Sequence, residues 1–404
     1  MLNRLLPKRK RTIVLIDISS ASVRGAYAHI EEGKPPTLYY TAYIPIEAGG
    51  GQSSESADPA VADMLHALEQ LATRLVREGG PVLRAELGSA EVNGVFVSVG
   101  APWQETSVRV ESFRKQKPFV FTKAHLEEAS KRNDASLAGR IESGEAVIGI
   151  MLNGYETAKP FGKRVSRADL VILSSSLAAD AARSIERTLR KTYHAHHLRM
   201  TAFAPVAYEI LRDLYPHQRD FLILDVAGTA TDIAFVKAGM LVDVQSIDLG
   251  VHDLLRAARS SGIGGVGMAG IRDSDRIIDP VRNAQFASRM TEVQSAWIGN
   301  LKTALVDFGQ RHPLPRKLFL LADGDARDFL RRLLDTDSLR SLWLTDEPLR
   351  IIPVLAEQFT SSVVSRGTAS GDAYIAMLAL YYARRVAHLE EPKEAEAVPP
   401  SAAQ

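Results

Sequence analysis

Two short stretches decide the fold of this chain: residues 17–24, which are D-I-S-S-A-S-V-R, and residues 225–232, which are D-V-A-G-T-A-T-D. In each, an apolar run typical of a buried strand ends at an aspartate, and a tight turn of small residues leads into a second β-rich run. Small residues let the N–H groups of a turn approach an anion, and successive N–H groups form a concave phosphate site. An aspartate beside such a turn can hold Mg²⁺ through water. Two facing hairpins of this kind would bind a polyphosphate from both sides.

Either hairpin taken alone is also explained by a Ser/Thr turn whose aspartate accepts nearby N–H groups. The elements around the two stretches favour the phosphate-binding interpretation, because the same order occurs twice. Strands are predicted at 12–18, 23–29 and 38–46 before a helix at about 58–78, and again at 221–226, 233–237 and 240–247 before a helix at 253–259. Further strands are predicted at 95–99, 168–174 and 318–322, and further helices at 176–193, 326–334 and 372–386. A repeated strand–strand–strand–helix unit indicates an α/β protein with two lobes.

Composition narrows the class of protein. The 404 residues exceed one ordinary core, which favours two lobes. With 49 Lys and Arg against 48 Asp and Glu, no overall charge draws the chain to nucleic acid, and we expect no nucleic-acid partner. The lack of cysteine excludes disulfides and cysteine-based sites. No apolar run approaches the ~20 residues of a membrane-spanning helix, and Asp17 interrupts the run after the basic N-terminus, so we expect a cytoplasmic protein without a signal peptide.

The order of these motifs resembles the PilM/FtsA group of actin-like proteins over about residues 12–386. The first hairpin is similar to the group's first phosphate motif, D-I-G-S-S-S-V-K, with Ser19 in place of the glycine and Arg24 in place of the lysine. The second is similar to D-I-G-x-x-x-T-x, with Ala227 in place of the glycine. Residues 322–326, A-D-G-D-A, stand between a predicted strand and a predicted helix, where the group's glycine-rich adenosine motif falls.

The resemblance implies an α/β protein with the actin-like (ribonuclease H-like) fold, in which two lobes carry duplicated βββαβα domains and a small α+β subdomain is inserted. The implied division is a basic tail at 1–11, a first lobe at 12–102 and 168–220, an inserted FtsA/PilM-type subdomain at 103–167, a second lobe at 221–386 and a disordered acidic tail at 387–404.

The resemblance also implies ATP and Mg²⁺ as cofactors. Asp17 and Asp225 would organise the metal, and Glu209, in the helix between the lobes, is the acidic candidate for activating water. The implied cofactor-binding residues are Asp17, Ser19, Ser20, Ser22, Arg24, Asp225, Ala227, Gly228, Thr229, Thr231, Gly324 and Asp325. Because Ser19 and Ala227 carry a Cβ where the group keeps bare backbone, we expect at most a slow ATPase.

The function implied by the resemblance is that of a cytoplasmic assembly or scaffold protein docked to an inner-membrane complex, of the type IV pilus kind. Its partner would be the cytoplasmic tail of an inner-membrane assembly protein, which would hold the chain peripherally at the inner face of the membrane; self-association is a second contact that the group allows. The expected docking region is near residues 103–167, with Phe113, Phe119, Val120 and Phe121 as candidate anchors. Three alternatives stay open: an FtsA-like cell-division scaffold, a degenerate non-hydrolysing pseudo-ATPase adaptor, and a sugar or acetate kinase.

Two other patterns are assigned to structure rather than to chemistry. Residues 262–267 match G-x-G-x-x-G but follow a helical pattern instead of a strand, so we predict a loop and not a dinucleotide site. His194, His196 and His197 have no carboxylate or cysteine at ligand spacing, so we predict a surface cap at a helix end.

Overall fold

The computed structural model describes residues 10–46, 58–132, 138–157, 159–194, 197–260, 280–343 and 349–386, without the side chains of 260, 280–283, 325 and 386. Most of the predicted basic tail, the predicted acidic tail, the glycine-rich segment 262–267 and His196 lie outside the described residues.

The strands are, in chain order, β1 Lys10–Ile18, β2 Ser22–Glu31, β3 Thr37–Pro45, β4 Gly94–Val99, β5 Gln104–Val120, β6 Arg140–Leu152, β7 Tyr155–Glu156, β8 Arg164–Ala178, β9 Leu198–Ala202, β10 Phe221–Val226, β11 Thr231–Lys237, β12 Met240–Ile247, β13 Lys317–Leu321, β14 Arg350–Pro353 and β15 Val364–Thr368. The α-helices are α1 Pro59–Arg74, α2 Gly80–Leu87, α3 Lys123–Lys131, α4 Ala179–Tyr193, α5 Phe203–Leu214, α6 Val251–Ser260, α7 Pro280–Arg311, α8 Gly324–Leu334, α9 Asp337–Arg340 and α10 Ala373–Tyr381.

Five strands of the first lobe have the same order as the five strands of the second, and β15 is an additional edge strand of the first. The repeated order confirms the predicted duplication and the actin-like fold. In the first lobe the order is β15-β3-β2-β1-β4-β9, and in the second it is β12-β11-β10-β13-β14. Strands β1 to β3 form an antiparallel meander, and β4 and then β9 join it in parallel on the other side of β1. Strands β10 to β14 repeat this pattern of antiparallel and parallel pairs. The central strands are buried on both faces, because helices cover each sheet.

Two helices pack between the sheets and join the lobes. Helix α5 is buried along most of its length, and α10, A-Y-I-A-M-L-A-L-Y, is apolar on every side. A helix of that composition must be buried all round, and its core cluster includes residues of both sheets. Asp372 is the N-cap of this helix, and its side chain accepts the N–H of Ile375 at 2.9 Å. This N-cap fixes Asp372 at the interface between the lobes.

A small α+β unit is inserted between β4 and α4. Its sheet has the order β5-β8-β6-β7, and α3 packs on one face of that sheet. The structure corrects part of the anchor prediction: Phe113 and Phe121 are buried in this core and contact the ring of His125, whereas Val120 is 48% exposed. Helix α3 packs its apolar side against the sheet, and Phe113 and Phe121 form part of the core between them.

The described helices include none that is long and apolar enough to cross a membrane. His194 ends α4 in the left-handed region with φ of 47°, as expected for the predicted surface cap.

Candidate functional site

A cleft of about 1120 Å³ lies between the lobes. Both hairpins, α6, the start of α8 and the segment before α10 line it. Of the predicted site residues, Ser20, Arg24, Thr229 and Gly324 line the cleft, whereas the other predicted hairpin residues are not among those that line it. The side chain of Asp325 is outside the described residues.

The two hairpins have the same turn geometry. The N–H of Ser19 donates to the carbonyl of Ser22 at 3.0 Å, and the N–H of Ala227 donates to the carbonyl of Ala230 at 3.0 Å. The Ser19 hydroxyl also accepts the N–H of Ser22 at 3.3 Å, so it closes its own turn. The substitutions at the two glycine positions are therefore accommodated within regular turns.

The tips of the hairpins touch each other directly. The N–H of Thr229 donates to the Ser20 hydroxyl at 3.0 Å. A Cβ added at Gly228 would lie 2.3 Å from the carbonyl oxygen of Ser20, so only glycine permits this approach. Behind the tip, the Thr231 hydroxyl donates to the carbonyl of Leu249 at 2.7 Å and belongs to the framework of the second lobe. The lobes are closed at the point where the sequence predicts a phosphate slot.

Arg24 is the centre of a buried ionic cluster that joins the lobes. It is 3% exposed, and its Nη1 lies 3.2 Å from Oδ2 of Asp17 in its own lobe. Its Nη2 binds Asp323, which lies between β13 and α8, and its Nε lies 3.3 Å from Oδ2 of Asp372, the N-cap of α10. The guanidinium also lies 4.0 Å from the ring centre of Tyr374. Burial disfavours the charge, but the carboxylates of Asp323 and Asp372 hold the pKa of Arg24 well above its ordinary value.

We call the part of the cleft at the hairpin tips and the Arg24 cluster its inner end. Burial raises the pKa values of the other two carboxyl groups there, those of Asp17 and Asp225. Burial raises the pKa of Asp17 to about 6, although Arg24 and the Ser98 hydroxyl, 2.7 Å from Oδ1, act against the rise. Burial also raises the pKa of Asp225 well above its ordinary value, and neighbouring Asp232 adds to the effect. The Tyr374 hydroxyl donates to Asp225 at 3.1 Å. Such shifts are typical of functional sites, but ionic clusters that hold structure together produce them as well.

The arrangement does not fit a divalent cation held by Asp17 and Asp225. Both oxygens of Asp17 are engaged, one by Ser98 and one by Arg24, and Tyr374 engages Asp225. Mg²⁺ requires octahedral coordination and retains several waters, whereas here the guanidinium of Arg24 occupies the space between the carboxylates. No group of three or more metal-ligating side chains that could hold an ion was found within the described ranges.

Glu209, predicted to activate water, is not among the residues that line the cleft. It lies on α5 and accepts the Arg385 Nε at 2.6 Å, in an ion pair whose arginine side chain is 52% exposed. This geometry assigns Glu209 to the packing of α5 against the turn after α10.

Sequence reasoning missed several residues that form the site. Asp323, Asp372 and Tyr374 complete the cluster around Arg24, and only the folded chain brings them together. Three other cleft residues are detectable from the sequence. His252, Arg256 and Arg259 have i, i+4, i+7 spacing and therefore share one face of α6. Arg327 of α8 lines the same cleft.

Comparison with known proteins supports the fold. No protein-family model and no curated protein sequence matches the chain. Among solved structures, the chain is similar to a PilM–PilN type IV pilus biogenesis complex, at 15% identity and a TM-score of 0.58, over 92% of this chain and 98% of that one. It is also similar to the ethanolamine utilization protein EutJ from Carboxydothermus hydrogenoformans, at 13% identity and a TM-score of 0.38, over 93% of this chain and 89% of that one. A third similar structure is a Bacteroides thetaiotaomicron protein of unknown function with an actin-like ATPase fold, at 9% identity and a TM-score of 0.38, over 87% of this chain and 93% of that one. With the duplicated strand order, the first of these similarities identifies the chain as a protein of the actin-like, two-lobed fold.

Proposed function

We propose that this chain is an actin-like assembly protein of the PilM kind, which binds an adenine nucleotide between its lobes and docks on an inner-membrane complex of a type IV pilus system through a partner protein. The observation that carries the proposal is the cleft itself, because both lobes build it and meet at one end of it, through the hairpin tips and the cluster around Arg24. The similarity to the PilM–PilN structure over nearly the whole length of both chains supports the choice of system.

The cleft has the size and lining of a nucleotide site. Its volume of about 1120 Å³ is that of a large ligand pocket, and apolar side chains such as Val251, Leu255 and Val354 share its walls with arginines. Because residues of both lobes would contact one ligand, an occupied cleft would favour one angle between the lobes. A change in that angle would alter the affinity for a partner.

Among the alternatives, a non-hydrolysing adaptor is favoured over a kinase or an active ATPase. The hairpin tips are in contact, and Glu209 is paired with Arg385 outside the cleft. These two observations argue against rapid phosphoryl transfer, which requires positioned phosphates and a group that activates the acceptor. We propose ATP as the ligand, bound with slow turnover or none.

We predict that ATP binds in the cleft and that Gly324→Trp abolishes binding. Gly324 lines the cleft, and no atom lies within 4 Å of the position of its Cβ, so a large side chain can fill the ligand space without displacing the backbone. Isothermal titration of the purified full chain with ATP measures the effect. Gly80→Trp is the matched control, because its Cβ position is equally open and it is not among the cleft-lining residues. Equal ATP affinity in the two variants would place the nucleotide elsewhere.

The partner contact is proposed for the inserted subdomain. Strand β5 is at the edge of its sheet, and Val110 and Val120 on that strand are 54% and 48% exposed. Phe161, whose ring lies 6.0 Å from that of Phe121 in the same unit, is 46% exposed. An edge strand with exposed apolar side chains can accept an extended peptide, which would pair with the backbone and place its side chains on this surface.

Because docking is proposed to run through a protein, the purified chain should not sediment with protein-free anionic liposomes at physiological salt. A variant that lacks residues 1–9, all of them N-terminal to β1, is the control for attraction by the basic N-terminus. Strong sedimentation that survives this deletion would show direct membrane binding and would contradict recruitment by a partner.

A further inference from the structure

We propose that this cleft binds its nucleotide without a divalent cation. Arg24 is the fixed cation at the inner end, and Arg256, Arg259 and Arg327 bind the phosphate groups at the outer end. The proposal rests on the nucleotide-binding function proposed above and names the charges that such a ligand meets.

The first support is that Arg24 occupies the oxygens a metal would need. Carboxylates from three separate segments, Asp17, Asp323 and Asp372, converge on one guanidinium. A divalent cation at the same place would compete for these oxygens and would be repelled by the guanidinium. Arginine stays protonated, and its planar fork satisfies several carboxylates at once. Arg24 therefore offsets the charge of these carboxylates in the place where a metal ion would otherwise do so.

The second support is that the inner end of the cleft is unfavourable for phosphate. One positive charge on Arg24 faces the carboxylates of Asp17, Asp323 and Asp372, so the cluster as a whole is not cationic. The hairpin tips are also in contact, since the Thr229 N–H donates to Ser20. The backbone N–H groups of Ser19, Ala21, Ser22, Ala227 and Thr229 are already hydrogen-bonded within the two hairpins or between them.

The third support is the positive charge at the outer end of the cleft, the part lined by Arg256, Arg259 and Arg327. Arg256 and Arg259 lie on the same face of α6 as His252, one and two turns beyond the contact of His252 with the hairpin tip at Gly228, and Arg327 of α8 lines the same cleft. Arg256 pairs with Asp253 at 3.0 Å, in a contact where the arginine is 72% exposed, and such pairs contribute little. Neither Arg259 nor Arg327 forms an ion pair within the described ranges. Asp63 and Glu357 are the acidic side chains that share this part of the lining.

The proposal predicts equal ATP affinity in EDTA and in excess MgCl₂. Arg259→Gln and Arg327→Gln should each weaken ATP binding by about tenfold or more, since each removes a charged hydrogen bond. Arg332→Gln is the matched control: it lies on the same helix as Arg327, is exposed and does not line the cleft. Isothermal titration with ATP measures the affinity of the wild type under both conditions and of each of the three variants.

Binding that tightens about tenfold or more with Mg²⁺, equivalent to 1.4 kcal/mol, would overturn the inference while leaving the nucleotide function intact. Absence of ATP binding under both conditions would overturn the nucleotide function instead. In that case the role of Arg24 is tested without nucleotide. Electron paramagnetic resonance then measures the binding of Mn²⁺ to the nucleotide-free chain.

In that measurement we expect no tightly bound Mn²⁺ in the wild-type protein. Arg24→Gln should gain one Mn²⁺ site, which Asp17→Asn should then remove. Wild-type binding of Mn²⁺ that Asp225→Asn abolishes would overturn the inference, and this result does not depend on how well Arg24→Gln folds.

Discussion

Arg24→Ala should lower the free energy of unfolding by about 3–5 kcal/mol at pH 8, because breaking a buried ion pair leaves charges without compensation. Asp17 is fully enclosed, and Asp323 and Asp372 lose the one cation that they share. Since the cluster joins β1 to the end of β13 and the start of α10, the lobes should also separate more readily. Urea unfolding followed by circular dichroism measures the loss.

Two comparisons specify the cause of that loss. Arg114→Ala, at an exposed arginine of β5, should change stability by no more than about 0.5 kcal/mol.

The loss in Arg24→Ala should shrink as the pH falls. The folded-state pKa of Asp17 is about 6, above its unfolded value, so protonation favours the folded state at low pH and this contribution is lost as the pH rises through 6. Without Arg24 the pKa of Asp17 rises further, because Arg24 acts to lower it. The loss of unfolding free energy caused by Arg24→Ala should therefore be smaller at pH 5 than at pH 8. A loss below about 1 kcal/mol at pH 8 would show that the cluster does not hold the lobes together.

Gly228→Ala should destabilise the chain by about 1–3 kcal/mol and open the cleft at its inner end, as overpacking does in a tight contact. The new Cβ would lie 2.3 Å from the carbonyl oxygen of Ser20 and 2.7 Å from Cε1 of His252. The first neighbour is backbone and cannot rotate away, so the hairpin tips must part. Hydrogen exchange should then speed up at residues 19–22 and 227–230, and the radius of gyration from small-angle scattering should increase.

Gly80→Ala is the control for the loss of a glycine as such, because no atom lies within 4 Å of its Cβ position. If Gly228→Ala matched Gly80→Ala in stability and in hydrogen exchange, the contact between the tips would not be a constraint on the lobes.

The sequence predicts the framework of this protein well, because its signals are local. Strands at 221–226 and 240–247 are found at those residues, and the helix predicted from 372 begins one residue later, after its N-cap. Apolar runs, turn residues and caps act over a few positions, so the pattern of one segment is enough to place it. The duplicated order of these elements then leads to the fold.

The site is harder to predict because its contacts join distant segments. Arg24 is visible as the replacement of a lysine, but its partner Asp323 is 299 residues away, and no local pattern links the two. Glu209 is correctly placed on a helix between the lobes, but which way that residue faces depends on Arg385. Phe113 and Phe121 resemble surface anchors until α3 is seen to cover them.

The claim that a nucleotide binds between the lobes is tested most directly by photolabelling the full chain with 8-azido-ATP and mapping the modified peptides by mass spectrometry. We predict that the label is found on cleft-lining peptides, from residues 251–259, 322–327 or 354–357, and that excess ATP suppresses it. Label confined to the inserted subdomain or spread over the surface, and unaffected by ATP, would contradict the claim.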